Sequence, residues 1–334
     1  MTATTTEPRV EPTAETPPTA FRGLVHTVLR LHRSALWFWM LLLVVAAGAL
    51  LWVYGPGADA AWKEYWADSC DRPGADAPCD FSSGPAYNRY STVAAFGTVL
   101  LTLAPLLTAA WAGAALIGRE LEHGTAALAW TQSVSPTRWL AAELAVPAAL
   151  LATGTVALTL LHRLVFSANG TLWATMGMEW HHEEIYVTNG TLLTAYTLLG
   201  LVVGALAGLL ARRVLPALGL AWASLLLLLT VLGSLRPHLW PAKTLTSTLT
   251  DGYPAWTGMV LGDGALTSTG ARVPDPICID DAACLARHDI VGFYRDYHPS
   301  SHFWPLQLME TGIVLAVAAA LTVAAFALLR RRTA

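Results

Sequence analysis

Lysine is nearly missing from this chain of 334 residues, occurring only at Lys63 and Lys243. A chain that hydrolyses ATP through a phosphate-binding loop needs G-x-x-x-x-G-K-[ST], whose lysine reaches the phosphates. Lys63 follows Trp62 and Lys243 follows Ala242, so neither stands in such a loop and the chain is not its own ATPase. Charge of either sign is scarce, at 13% of residues, against about 25% in soluble domains. With a net charge of -3 and few clustered basic residues, nothing offers the basic face that nucleic acid requires. No Gly-x-Ser-x-Gly elbow is present either, and that motif is what lifts a serine nucleophile onto a strained turn. No catalytic residue, cofactor-binding residue or metal ligand is therefore assigned. His181, His182, Glu183 and Glu184 stand side by side, but adjacent residues do not converge on one ion as histidines at i, i+4 do, so the stretch reads as a solvated acidic loop.

What is present is apolar residue, 54% of the chain. A bilayer core of about 30 Å is crossed by about 20 helical residues, and six segments qualify: Ala35 to Tyr54, Ser91 to Gly118, Leu144 to Leu161, Thr191 to Ala211, Val214 to Leu235 and Thr311 to Leu329. The Ala58-Asp59-Ala60 triplet resembles a cleavage site, but the lead and the first apolar run are both too long for a signal peptide, so that run is read as a span. Arginine sets the orientation: Arg22, Arg30 and Arg33, then Arg119 and Arg138, Arg212 and Arg213, and Arg330, Arg331 and Arg332 all fall on one side. Both termini are expected in the cytoplasm, with loops 55–90, 162–190 and 236–310 outside. Those loops hold 9 basic and 17 acidic residues. The four cysteines, Cys70, Cys79, Cys278 and Cys284, all lie in these outer loops. Disulfides persist in oxidising compartments, and of the three possible pairings two local bridges, Cys70 with Cys79 and Cys278 with Cys284, are the simplest; a zinc site is the rival, with spacings that match no common finger.

Residues 1–20, rich in Thr, Pro and Glu, cannot bury a core and read as a disordered cytoplasmic tail. Between Phe21 and Arg33, Phe21, Leu24, Val25, Val28, Leu29 and Leu31 oppose Arg22, His26, Arg30 and Arg33. The segment reads as an amphipathic interfacial helix, or else as a plain basic lead into the first span. Gly200, Gly204 and Gly208 form a small-residue ridge that admits a close helix neighbour, inside the bundle or across a subunit interface. The stretch 236–310 is long enough for an extracellular cap, with helical spacing of Leu285, Ile290 and Phe293. Inside the spans ionisable groups are few. Glu143 and Glu310 read as boundary residues, and Glu310 is the candidate proton site if ions drive the protein.

Between the second and third spans stands "GRELEHGTAALAWTQSVSPTRW", Gly118 to Trp139. After Gly124 the residues from Thr125, a possible cap, to Gln132 form a short helical stretch, and Ser135 and Pro136 suit the N-cap and first position of the next helix. So short a helix is marginal alone and needs a surface, either lipid headgroups or a cytoplasmic partner. Glu120, Glu122 and His123 favour the partner, since anionic headgroups repel acids. This stretch resembles the cytoplasmic loop of type-2 ABC exporter permeases, whose pattern of an acid, Gly-Thr, a Leu and Ser/Thr-x-x-Arg is matched by Glu120, Glu122, Gly124, Thr125, Leu128, Ser135 and Arg138. The stretches from Tyr297 to Gly312 and from Ala211 to Leu225 resemble the high-GC Gram-positive branch of that family. Glu143 departs from it, since lysine is commoner there.

The resemblance implies an all-α membrane protein of six spans with an N-terminal interfacial helix, residues 21–334 forming the permease domain. It implies a cell-membrane exporter working as a dimer of permeases, expected to be a homodimer, with ATP and Mg bound on a separate ATPase subunit that meets the coupling loop 119–138. An amphiphile, a drug-like molecule or a peptide suits its apolar interior as substrate. The competing reading is a non-transporting membrane sensor or scaffold whose extracellular cap binds a ligand.

Overall fold

The structure, a computed structural model, describes residues 18–67, 84–131, 134–255, 258–278 and 281–333. Cys70 and Cys79, and all but the last three residues of the expected tail, lie outside these. Six helical segments are long and apolar enough to cross a membrane, and each contains or overlaps one expected span. The chain is a multi-pass membrane protein, mostly helical.

Helix α1 (Pro18–Leu31) starts three residues inside the expected tail, because Pro18 suits the first turn of a helix, and it seats Val28 in the interior. The first span is α2 (Arg33–Trp52), which runs through a π-helical turn at Val53–Gly57 into α3 (Ala58–Ala67). The second span is α4 (Pro85–Trp111), continued by a second π-helical segment at Ala112–Gly118. Two short helices follow, α5 (Arg119–Glu122) and α6 (Thr125–Thr131), and then the third span, α7 (Pro136–Ala168). Beyond it lie α8 (Gly170–Thr175) and α9 (Glu183–Thr188). The fourth and fifth spans, α10 (Leu192–Ala211) and α11 (Val214–Leu235), are joined by a tight turn in which Arg212 takes φ 53°. Helices thus extend several residues into all three stretches expected as loops, because polar residues end an apolar run without ending a helix.

Helix α10 is the axis of the bundle. Its apolar residues run all round it, the pattern of a helix with no solvated face, and 83% of its span is buried, against 44% or less for the others. It packs on α4, the second π-helical segment, α7, α11 and, at the end of the chain, α13 (Phe303–Thr333). The glycine ridge faces the second span: a Cβ on Gly200 or Gly204 would run into the carbonyl oxygens of Pro105 and Ala109, and one on Gly208 would lie 2.7 Å from Ile117 Cβ. Close approach of this kind is what holds helices together where lipid removes the hydrophobic drive between them. Gly204→Leu is therefore expected to destabilise the chain by about 1–3 kcal/mol, the usual cost of overpacking. Gly219→Leu, at a helical glycine with open space around it, is the matched control in a denaturant titration.

The segment between α11 and α13 departs from the all-α expectation. It folds into an antiparallel sheet of order β1-β4-β2-β3, with β1 Lys243–Thr248, β2 Met259–Thr267, β3 Arg272–Val273 and β4 Ile290–His298. Only Leu285 of the three residues with helical spacing lies in a helix, α12 (Ala282–Arg287), while Ile290 and Phe293 lie in β4. Asp289 ends the helical phase with φ 57°, and β-branched and aromatic residues then favour a pleated strand. The Cys278–Cys284 disulfide ties α12 to the preceding loop. Both sulfurs lie near His288 in a grouping that could otherwise suit a metal, but the bridge engages them. His298 Nε2 lies 2.9 Å from the Pro237 carbonyl oxygen, anchoring the sheet to the end of the fifth span.

Candidate functional site

The loop after the second span is built from its own side chains. Ser135 accepts a bond from the Arg138 amide at 3.4 Å and Pro136 takes the first turn of α7, so the expected start of this helix is the observed one. Thr125 does not cap α6. Its hydroxyl donates to the Glu120 carboxylate and to the Glu120 carbonyl at 3.2 Å, while Gly124, at φ 73°, makes the turn between α5 and α6. This φ is sterically open to glycine and costly for most other residues.

The acids expected to greet a partner have internal partners instead. Glu120 is buried. Glu122 Oε2 accepts from the Val214 amide at 2.7 Å, at the first residue of α11, where the unpaired amides and positive end of a helix favour a carboxylate. Helix α6 buries Ala126 and brings Trp130 edge-on to Trp139 of α7, with ring centroids 5.7 Å apart. Of the residues expected at this site, Glu122, His123, Gly124, Thr125, Leu128 and Arg138 remain exposed, Glu122 and Thr125 while engaged in these bonds, and Leu128 is 60% exposed. The loop is thus a small exposed foothold braced to three spans: continuous with the second, packed on the third and bonded to the fifth.

A second cluster stands beside it. His32, between α1 and α2, lies with Nε2 3.0 Å from Glu143 Oε2 of α7, both side chains buried, and meets the Trp111 ring edge-on at 5.7 Å. Glu143 is thus a buried, paired acid two turns inside the start of α7. Against this pair lies a cavity of about 290 Å³ between α1, α2, α4 and α7, walled by Val28, Trp39, Trp111 and Leu151 and edged by His32 and Arg119.

At the opposite end, Glu310 is fully buried and accepts two bonds from Arg236, 2.8 Å from Nε and 3.2 Å from Nη2, and one from the Tyr196 hydroxyl. Arg236 lies over the Tyr186 ring at 4.4 Å. Arg236, expected in a loop, opens a 3-10 turn directly after α11, and with Glu310 it joins the ends of the fourth, fifth and sixth spans. An acid at the very start of an apolar run was the available signal, since a buried charge needs a partner.

The histidine-rich stretch forms separate pairs, His182 with Glu184 at 2.6 Å and His181 with Glu179 at 3.6 Å, and no shared centre. Partial burial holds His181 below the usual imidazole range, with Glu179 acting against the shift. Asn169 and Asn189 both lie in Asn-Gly-Thr sequons and are both buried. Asn169 Oδ1 accepts from Trp62 Nε1 at 3.2 Å, and Asn189 Oδ1 lies 2.8 Å from Nδ1 of the buried His162.

Comparison with known proteins adds a family and little else. No curated protein and no solved structure matches the chain. The family model described as "ABC-2 membrane transporter related" matches residues 41–236, from the first span to the end of the fifth and including the whole braced loop. More than half of the sequence is covered, and the chain belongs to this family of ABC-2 type permeases.

Proposed function

We propose that this chain is the permease subunit of an ABC exporter, driven by ATP hydrolysed on a separate ATPase subunit that seats on the loop from Glu120 to Arg138. The observation that carries the reading is the bracing of that loop: a push on the Leu128 face is delivered at once to the second, third and fifth spans. Both termini are cytoplasmic in this reading, in line with the arginine asymmetry, and two copies of the permease work with two ATPase subunits. The apolar cavity edged by His32 and Arg119 suits an amphiphile on the side from which an exporter loads.

Leu128→Asp tests the docking face. Because the side chain is exposed, the fold should be unaffected, and replacing an anchor in a desolvated contact typically costs about 2 kcal/mol or more of binding energy. Co-purification of the ATPase is expected to fall by about 30-fold. Unchanged recovery of the ATPase with this variant would place the docking surface elsewhere.

A further inference from the structure

A second cavity, of about 560 Å³, opens between α7, α10 and α13 at the end of the bundle away from the braced loop. Its walls are apolar, with Val156, Leu160, Leu198, Trp304 and Leu315 among them. Two polar groups of this groove are incompletely satisfied by the described residues. Arg163 edges the groove with no acidic partner among the described residues; it donates from Nη1 to the Asn189 carbonyl oxygen at 3.2 Å and lies 4.7 Å from the Trp304 ring centre. That leaves most guanidinium donors open, because one arginine carries several in a fixed fork. Thr159, one turn deeper on the same helix, lines the groove, is only 9% exposed, and its hydroxyl has no hydrogen-bond partner. The neighbouring threonines differ: Thr155 bonds Thr194 at 3.0 Å, and Thr191 bonds Thr311 at 2.6 Å.

A buried hydroxyl left unbonded costs free energy, and so does a cation at the membrane edge with no counter-charge. One molecule can satisfy both. We infer that this groove binds one anionic glycerophospholipid, its phosphate on Arg163, an ester carbonyl accepting from Thr159, and an acyl chain along Leu160, Leu198 and Leu315. Residues i and i+4 are about 6 Å apart along a helix, a separation that a glycerol unit between phosphate and ester can bridge. The order is also right: Arg163 lies nearer the membrane surface and Thr159 deeper, as head and ester lie in a lipid leaflet. A guanidinium with open donors selects phosphate bearing a net negative charge over a zwitterion. The site size falls within the range of ligand pockets, roughly 300–1,000 Å³. The inference does not depend on the exporter reading, and its test reads lipid binding without ATPase or transport.

The full chain, stripped of lipid in a neutral detergent, is titrated with phosphatidylglycerol and separately with phosphatidylcholine, and bound lipid is counted by native mass spectrometry. One phosphatidylglycerol per chain is expected, held about tenfold more tightly than phosphatidylcholine. Arg163→Gln should abolish that preference, and Arg163→Lys should retain part of it. Thr159→Val should weaken both lipids while keeping the preference, and Thr159→Trp, which fills the groove and leaves the Arg163 partners in place, should exclude both. Equal retention of the two lipids by the unaltered chain overturns the proposal, as does an undiminished phosphatidylglycerol count in Thr159→Trp. So does efficient disulfide capture of two copies through Leu160→Cys in native membranes, which would show the groove covered by a second permease.

Discussion

Glu310→Ala is expected to destabilise the folded chain by about 3–5 kcal/mol, the usual cost of removing one partner from a buried ion pair. The arithmetic of the pair explains the size. With the carboxylate gone, Arg236 stays buried over the Tyr186 ring, and the Tyr196 hydroxyl loses its acceptor as well. The guanidinium cannot shed its charge, so its desolvation is left uncompensated. The informative control is the double replacement Arg236→Met with Glu310→Leu. Apolar residues of similar volume often match or exceed a buried pair in stability, so this variant should recover most of the loss. Chemical unfolding in detergent measures both. A loss below about 1 kcal/mol for Glu310→Ala, the range of solvated surface pairs, would mean that water reaches the cluster.

The second large effect is expected at Glu122, and it separates holding the ATPase from obeying it. The carboxylate, although exposed, is engaged within the chain, where it caps the first amide of α11. Glu122→Ala should therefore leave ATPase recovery within about twofold of the unaltered chain while cutting vectorial transport by about 2–30-fold, since residues along a coupling route typically modulate it by roughly 0.5–2 kcal/mol. Glu122→Gln retains an acceptor for the Val214 amide and should restore part of the transport. The readout is efflux per ATP hydrolysed in reconstituted vesicles. Equal loss of ATPase recovery in Glu122→Ala and Leu128→Asp would reduce the two residues to one docking patch and remove the distinction between them.

The bundle was legible because charge-free runs of span length leave few alternatives, and the start of α7 because Ser135 and Pro136 each act through local chemistry. The sheet was not legible. Strand β4 carries Phe293, Tyr294 and Tyr297 on both of its faces, so its alternation does not show as a period of two, and its neighbours in the sheet come from β1 and β2 rather than from adjacent sequence. The Arg236–Glu310 pair was missed for a related reason: its members are 74 residues apart, and an arginine just past an apolar run reads as loop. At the braced loop the sequence gives away the acids and the glycine but not the direction in which the acids point. That direction is set by α11, which arrives 92 residues later to meet Glu122.

The buried Asn169 and Asn189 side chains bear on how the protein can be made. A secretory pathway that attaches oligosaccharide to Asn-x-Thr acts on the nascent chain, before Trp62 and His162 have closed over these amides. A bulky glycan at either position belongs on a surface and cannot fit inside the bundle, so yeast or insect-cell material carrying sugar there would be trapped unassembled, whereas a bacterial host lacking the modification would not meet this obstacle.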